Sequence, residues 1–327
     1  MRLMPPTVDK IKKAAKRIEP YSVLTPLVES PVLNQKIEGR LLLKLETLQR
    51  TNSFKFRGAF NAISQIPTEK LKNGVVAYSS GNHAQGVAAA AQIMGIPAAI
   101  VMPRDAPLNK ILNTKNYGAE VITYDRYNES REALGNQIAV DRKSALIKPY
   151  DDPDIIAGQG TVGIEILSQT MKLGIAIDNL LVPCGGGGLI SGIATVFSKL
   201  SPNTSIFSVE PAHYDDTARS LKRGRRVSIT EHKFSVCDSL LAETPGELTF
   251  SINRHIVRDG LAVTDREAKE AVRDAFNYLR VVIEPGGAVA LAATLTGKID
   301  TSNKINCVVC SGSNIDKTLF TNIINGE

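Results

Sequence analysis

The sequence contains no tryptophan, and aromatic residues make up only 5% of its 327 positions. Surfaces that bind nucleic acid set aromatic stacking platforms among their cations. Neither basic cluster here does so. Lys10, Lys12, Lys13, Lys16 and Arg17 form the first, and Arg219, Lys222, Arg223, Arg225 and Arg226 the second. The first is the wet side of a helix whose apolar positions Val8, Ile11, Ala15 and Ile18 share a face. The second flanks Gly224 and reads as a loop. The net charge of +6 reads as a solvated basic surface able to steer anionic substrates, and no nucleic-acid partner is expected.

Long hydrophobic runs are also missing. The longest apolar stretch, Gly86 to Met102, is mostly alanine and is broken by Gln92, Gly95 and Pro97. A membrane span needs about 20 continuous apolar residues, so no membrane partner is expected. The N-terminus runs from Met-Arg-Leu-Met-Pro-Pro into the basic helix with no apolar signal core, which predicts a cytoplasmic protein. Cysteine is scarce: Cys184, Cys237, Cys307 and Cys310. Cys307 and Cys310 have the spacing of a redox motif but lie in a strand-like run from Ile305. Positions i and i+3 of a strand face opposite sides, so reduced core cysteines are expected in place of a zinc or dithiol site.

With 43% hydrophobic and 22% charged residues the chain is an ordinary folding sequence, long enough for about two domains. Strand-like runs at Arg40 to Leu45, Val75 to Tyr78, Ala98 to Met102 and Glu120 to Thr123 alternate with helix-like stretches, among them Ala84 to Met94. A second run follows: helix from Gly160 to Met171, strand from Asn179 to Pro183, helix from Ile190 to Leu200, strand from Ser205 to Glu210. Thr264 and Glu267 carry the spacing of a capping box at the head of a further helix. This order predicts an α/β fold of parallel sheets flanked by helices.

Two features carry chemistry. Gly185, Gly186, Gly187 and Gly188, followed by Leu189, join a predicted strand to a predicted helix. Bare backbone there lets several N–H groups and the helix N-terminus converge on an anion, which makes a phosphate cradle. The dinucleotide fingerprint fails because Ile190 stands where its third glycine belongs, and no Gly-Lys-Ser/Thr follows as a P-loop requires. Lys55 lies between Phe54 and Phe56. On spacing alone it is either a surface residue or a lysine whose apolar setting lowers its pKa and readies it as a Schiff-base nucleophile. A reactive lysine beside a phosphate cradle points to an aldehyde phosphate cofactor.

The chain resembles the fold-type II pyridoxal-phosphate enzymes, in the branch of threonine/serine dehydratases and serine racemases. The motifs are Ser53 to Ala59, Ser79 to Gly86, Pro149 to Pro153 running into Ala157 to Thr161, Pro183 to Leu189, Glu284 to Gly287 and Ser311 to Asn314. The resemblance implies a tryptophan synthase β-like fold: two open, twisted, mostly parallel sheets, with the active site between a large domain (1–73 plus 149–327) and a small mobile one (74–148). It implies pyridoxal 5′-phosphate as cofactor and a homodimer. Lys55 becomes the internal aldimine lysine and α-proton base. Phe54, Asn82, Gly185 to Gly188, Leu189, Glu284 and Ser311 hold the cofactor, and Ser79, Ser80, Asn82 and His83 surround the substrate carboxylate. The implied reaction converts a β-hydroxy L-amino acid, through an aminoacrylate, to a 2-oxo acid and ammonia.

Several positions leave alternatives open. Ser80 matches the Ser-Ser-Gly-Asn-His form found in serine racemases and hydroxyaspartate dehydratases. It is either a second-face acid/base, making the protein an amino-acid racemase, or a binding hydroxyl. Arg131 either reads a second carboxylate, as 3-hydroxyaspartate would require, or is a solvated helix residue. Glu210, Tyr214 (through its carbonyl) and Asp216 match the Mg²⁺ or Ca²⁺ segment of serine racemases. Ser313 replaces a common glycine, and Cys237 to Ala242 departs from the usual substrate-side segment. The chain ends at Glu327, so the regulatory domain of biosynthetic threonine dehydratases is not expected. A silent, cofactor-binding regulatory protein is the non-enzyme alternative, and the intact Lys55, Asn82 and Ser311 argue against it.

Overall fold

The computed structural model describes residues 3–79, 81–106 and 108–326. Among the described residues ten strands form two sheets. Six of them, β1 (Leu27–Glu29), β2 (Arg40–Leu45), β7 (Asn179–Pro183), β8 (Ser205–Pro211), β9 (Asp259–Val263) and β10 (Ile305–Cys310), run in the order β1-β2-β10-β7-β8-β9. All neighbours are parallel except β1, which pairs antiparallel with β2 at the edge. The other four, β3 (Val75–Tyr78), β4 (Ala98–Pro103), β5 (Glu120–Tyr124) and β6 (Ala145–Leu146), form a wholly parallel sheet in the order β5-β4-β3-β6.

The central strand β10 shows why the runs look as they do. A parallel strand covered on both faces is apolar throughout. Cys310 and Val308 point into one core with Leu43 and Leu45, under the helices Asp265–Leu279 and Pro285–Leu295. Cys307 and Val309 point into the other with Leu42, under the helices Pro153–Lys172 and Gly188–Leu200. The two thiols thus lie in separate cores, as strand alternation predicts. The capping box of Thr264 and Glu267 is formed. The second basic cluster corrects the loop expectation: Arg219, Lys222 and Arg223 lie on the helix Asp216–Arg223, which Gly224 ends in the left-handed conformation. No helix of the described residues is long and apolar enough to cross a membrane.

Close helix packing sets the positions of the chemical motifs. A Cβ at Gly158 would stand 2.6 Å from the Gly58 Cα, so the helix Lys55–Ile63 presses directly on Pro153–Lys172. On that same long helix Gly160 meets Gly192 of Gly188–Leu200, where an added Cβ would reach the Gly160 amide at 2.5 Å. One helix therefore serves as the common support for the lysine helix and the glycine-loop helix. Buried charge locks this contact. Arg57, fully buried, ion-pairs with Glu46 at 2.7 Å and with Glu165 at 2.6 Å, and Lys44 reaches the second oxygen of Glu165 at 2.6 Å.

Candidate active site

Lys55 opens its helix beside the central strand. The Phe54 amide donates to the Ser311 carbonyl at 3.2 Å, and Ser53 bridges to Gly312, so the lysine segment is zipped to the chain just past β10. The Lys55 ammonium donates to the Pro149 carbonyl at 2.8 Å and lies 5.2 Å from the centre of the Phe54 ring. With desolvation unopposed by a carboxylate, its pKa falls to about 8. A tenth or so of such a group is already the free amine at neutral pH, the nucleophilic form.

The glycine loop packs against the same segment. Tyr150, next to Pro149, lies over the backbone of Gly186, where no Cβ could fit, and Gly187 takes φ +92°, a left-handed conformation that suits glycine. Thr249 fixes the loop by donating from its hydroxyl to the Gly186 carbonyl at 2.7 Å. Asp151 accepts the amides of Leu248 at 2.9 Å and Thr249 at 3.2 Å, capping the helix Glu247–Ile256 behind it. Gly188 and Leu189 begin their own helix, adding its positive end to the loop.

A third wall comes from the four-stranded sheet. The helix Asn82–Ile93 follows β3 and is almost entirely buried, which explains its run of alanines. Asn82 donates to Glu284 at 2.5 Å and accepts from Asn314 at 2.7 Å, so both ends of its amide are committed. Glu284 is buried, and desolvation raises its carboxyl to about 7, with Lys110 opposing the rise. His83 is buried too. One ring nitrogen meets the Ile147 carbonyl at 3.0 Å, and desolvation, with the Lys55 charge adding to it, pulls its pKa down to about 3, leaving a neutral imidazole. The Ser79 hydroxyl accepts the Gly81 amide at 3.2 Å. Ser80 lies outside the described residues.

These motifs, scattered from position 53 to 314, are joined by direct contacts: Lys55 to Pro149, Tyr150 to Gly186, Ser53 to Gly312 and Asn314 to Asn82. The amine with no counter-ion, the bare glycine loop and the committed Asn82 amide fit an aldehyde phosphate: a carbon electrophile for Lys55, an anion for the loop. Arg131 stands further out. It pairs with Glu132 at 2.8 Å, lies 5.9 Å from the Tyr78 ring centre, and remains 42% exposed along its side chain. Tyr150 lies near enough to feel its charge. Ser313, the residue in place of glycine, uses its hydroxyl to donate to the Thr47 carbonyl at 3.0 Å.

Comparison with known proteins agrees with this geometry. Residues 18–311 match the model of the family described as pyridoxal-phosphate dependent enzyme. The chain belongs to that family. Among its relatives, the L-threo-3-hydroxyaspartate ammonia-lyase of Saccharomyces cerevisiae is 41% identical over 98% of this chain and 97% of its own. The serine racemase of Schizosaccharomyces pombe is 38% identical over 96% of each chain. The crystal structure of the T.th. threonine deaminase superposes with a TM-score of 0.90 at 40% identity, covering 95% of this chain and 99% of that one. As a family member this chain is a pyridoxal-phosphate-dependent enzyme of the fold-type II class, with ammonia-lyases among its near relatives.

Sequence reasoning missed four parts of the site. Tyr150 over Gly186, the Asp151 cap, the Lys110–Asp238 pair and the Arg57 network all depend on partners far away in sequence. Arg57, Tyr150, Asp151 and Gly186 lie within the motifs read from the sequence, but the motifs do not show which partner each meets, and Lys110 lies in none.

The cation segment has its own geometry. Glu210 and Asp216 are both fully buried side by side. Glu210 accepts the amides of Thr217 at 3.0 Å and Ala218 at 2.8 Å, while the Asp216 oxygens have no hydrogen-bond donor. Desolvation pushes both carboxyls up; the Asp216 charge adds to the rise of Glu210, and the Asp215 charge to that of Asp216, which reaches about 8. Among the described residues no group of three or more His, Cys, Asp or Glu is assembled as a metal cluster. Two carboxylates plus a main-chain carbonyl such as that of Tyr214 are nevertheless oxygen donors suited to a hard divalent cation.

Proposed function

We propose that this protein is a pyridoxal-phosphate-dependent ammonia-lyase that eliminates water and ammonia from a small β-hydroxy L-amino acid, with threonine and serine as the leading substrates. The observation that carries this reading is Lys55: a desolvated amine with a pKa near 8, held by the Pro149 carbonyl beside a bare glycine loop. The cofactor, when bound, supplies an electron sink for the bonds at the amino acid's α-carbon.

In this reading Lys55 would hold the cofactor through Nζ and would take the substrate α-proton on the same atom. Gly185 to Gly188 and Leu189 hold the phosphate with main-chain N–H groups, and the end of their helix favours its charge. Phe54 packs against the ring. The Asn82 amide, braced by Glu284 and Asn314, orients its phenolic oxygen, and Ser311 offers a neutral hydroxyl to its nitrogen. Ser79, Ser80 and His83 line the carboxylate site, where an imidazole with its pKa at about 3 is too weak a base to compete for the α-proton and serves as a positioning group. In this reading Arg131, within reach of Tyr78 and Tyr150, reads a second substrate carboxylate, which keeps 3-hydroxyaspartate among the candidates. Glu210, Asp216 and the Tyr214 carbonyl bind Mg²⁺ or Ca²⁺.

Residues 74–148 form the smaller moving unit and 1–73 plus 149–327 the larger. The exposed apolar residues Val23, Leu24 and Leu48, kept together by Gln49 bonding to Val23, support a homodimer face. Buried free thiols support a cytoplasmic setting.

The test is a panel of L-threonine, L-serine, D-serine and the 3-hydroxyaspartates with cofactor and Mg²⁺, measuring 2-oxo acid and chirality in the same tubes. Oxo-acid release that disappears in Lys55→Ala is expected. Inversion outrunning elimination would replace this reading with a racemase using Lys55 and Ser80 on opposite faces. No turnover of any substrate by loaded protein would leave only a cofactor-binding role.

A further inference from the structure

Two charged residues left without a task in this reading meet across the cleft. Lys110 lies on the helix Leu108–Asn116, which packs beside the four-stranded sheet, and Asp238 opens a short turn, Asp238–Leu240, on the side of the six-stranded sheet. The Lys110 ammonium donates to the Asp238 carboxylate although the two are 128 positions apart. Its side chain is only 6% exposed, whereas that of Asp238 is 44% exposed, so a buried cation is held by a carboxylate at the rim. The ammonium also packs against Gly81, where an added Cβ would lie 3.4 Å from Nζ. Gly81 immediately precedes Asn82, whose amide donates to buried Glu284.

The groups that face Glu284 come from three elements. Lys110 approaches from its helix, Cys237, Asp238 and Ser239 from the turn, and Asn82 from the helix it begins. Lys110 is the cation of this set and Asp238 the anion.

Building on the functional reading above, we propose that Lys110 is a positioning residue: through Asp238 it clasps the two walls of the cleft together, and its charge holds Glu284, and so Asn82, in a single arrangement. A carboxylate buried beside an amide can accept its N–H, whereas a protonated carboxyl competes for the same contacts as a donor. Lys110 favours the accepting form and Asp238 opposes it. Removing the two charges therefore has opposite electrostatic effects on Glu284 but the same mechanical effect on the clasp. A residue with a packing role alone would not separate the two in this way.

The experiment uses the cofactor-loaded protein without substrate. The absorbance of the bound cofactor is titrated between about pH 5 and 9 in the native chain, Lys110→Met, Asp238→Asn and Lys110→Arg. The transition is expected to move up by about one unit in Lys110→Met and down in Asp238→Asn, and to stay in place in Lys110→Arg. Shifts in the same direction, or none, would overturn the electrostatic half. Amide exchange over residues 82–93 is measured on the same proteins without cofactor. It is expected to speed up by about tenfold in both charge-removing variants and to be restored by arginine. Unchanged exchange would overturn the clasp. A native chain that takes up no pyridoxal phosphate would defeat the functional reading instead, and the exchange arm would still decide the clasp.

Discussion

Gly86 lies directly against the backbone of Lys55: a Cβ at position 86 would stand 3.0 Å from the Lys55 carbonyl carbon and 3.1 Å from the Phe56 nitrogen. The helix that begins with Asn82 and the helix that begins with Lys55 thus touch main chain to main chain, and the spacing between the two functional side chains depends on this glycine.

Gly86→Ala is expected to cost about 1–3 kcal/mol, because the neighbour that must move is backbone, and Gly86→Val more. Both variants should also take up pyridoxal phosphate more slowly than their loss of stability explains. Urea unfolding and the time course of cofactor absorbance, run on both variants, would check this. An unchanged midpoint in the valine variant would contradict the contact.

Arg57→Met should be far more disruptive than its conservative size suggests. It leaves buried Glu46 and part-buried Glu165 without their main cation, a defect that typically costs about 3–5 kcal/mol when the charge is sealed from water. Lys10→Ala breaks a pair with Asp154 that is a third or more exposed on both sides, worth about 1 kcal/mol at most. Parallel chemical denaturation of the two variants measures the contrast, and equal losses would remove the network from the account of stability.

The pattern of loss and survival in sequence reading follows from this geometry. Strands such as Arg40–Leu45, Val75–Tyr78 and Asn179–Pro183 were legible because burial on both faces writes a short apolar run into consecutive residues. The glycine loop and the lysine between phenylalanines were legible because each compresses its chemistry into adjacent positions. The Lys110–Asp238 pair and the Arg57–Glu165 pair were not, since their members are 128 and 108 positions apart and a lone charge looks the same whether solvated or sealed. The Arg219 to Arg223 stretch hid its helix for a related reason. Its buried face consists of Asp216, Thr217 and Ser220, polar residues that leave no apolar period to read.

Stability should respond to pH with opposing signs. The neutral state of His83, whose pKa falls from 6.5 to about 3, contributes stability that is fully present above pH 6.5 and is lost as pH falls below it. Glu284 acts in reverse: raised from 4.5 to about 7, it contributes stability present below pH 4.5 and lost as pH rises through about 7. Urea midpoints across this range should show a steeper acid limb in the native chain than in His83→Asn, and coincident acid limbs would rule out the buried neutral imidazole as the cause.

In the proposed reading a divalent cation competes with protons for Glu210 and Asp216. The rise in melting temperature on adding Mg²⁺ or Ca²⁺ should therefore grow as pH increases through about 8, where Asp216 gives up its proton. Asp216→Asn should abolish the rise, and chelation should reverse it in the native chain. A gain of equal size in the variant would place the cation elsewhere.

The strand that carries Cys307 and Cys310 has a practical corollary. All four thiols are sealed from solvent, and burial pushes each one up in pKa, Cys307 to about 12, so a folded molecule gives an alkylating reagent no thiolate to attack. Labelling therefore starts only when a core opens. Because Cys307 reports the side roofed by Pro153–Lys172 and Cys310 the side roofed by Asp265–Leu279, peptide mapping after brief exposure to iodoacetamide reads the order in which the two faces of a single sheet come apart.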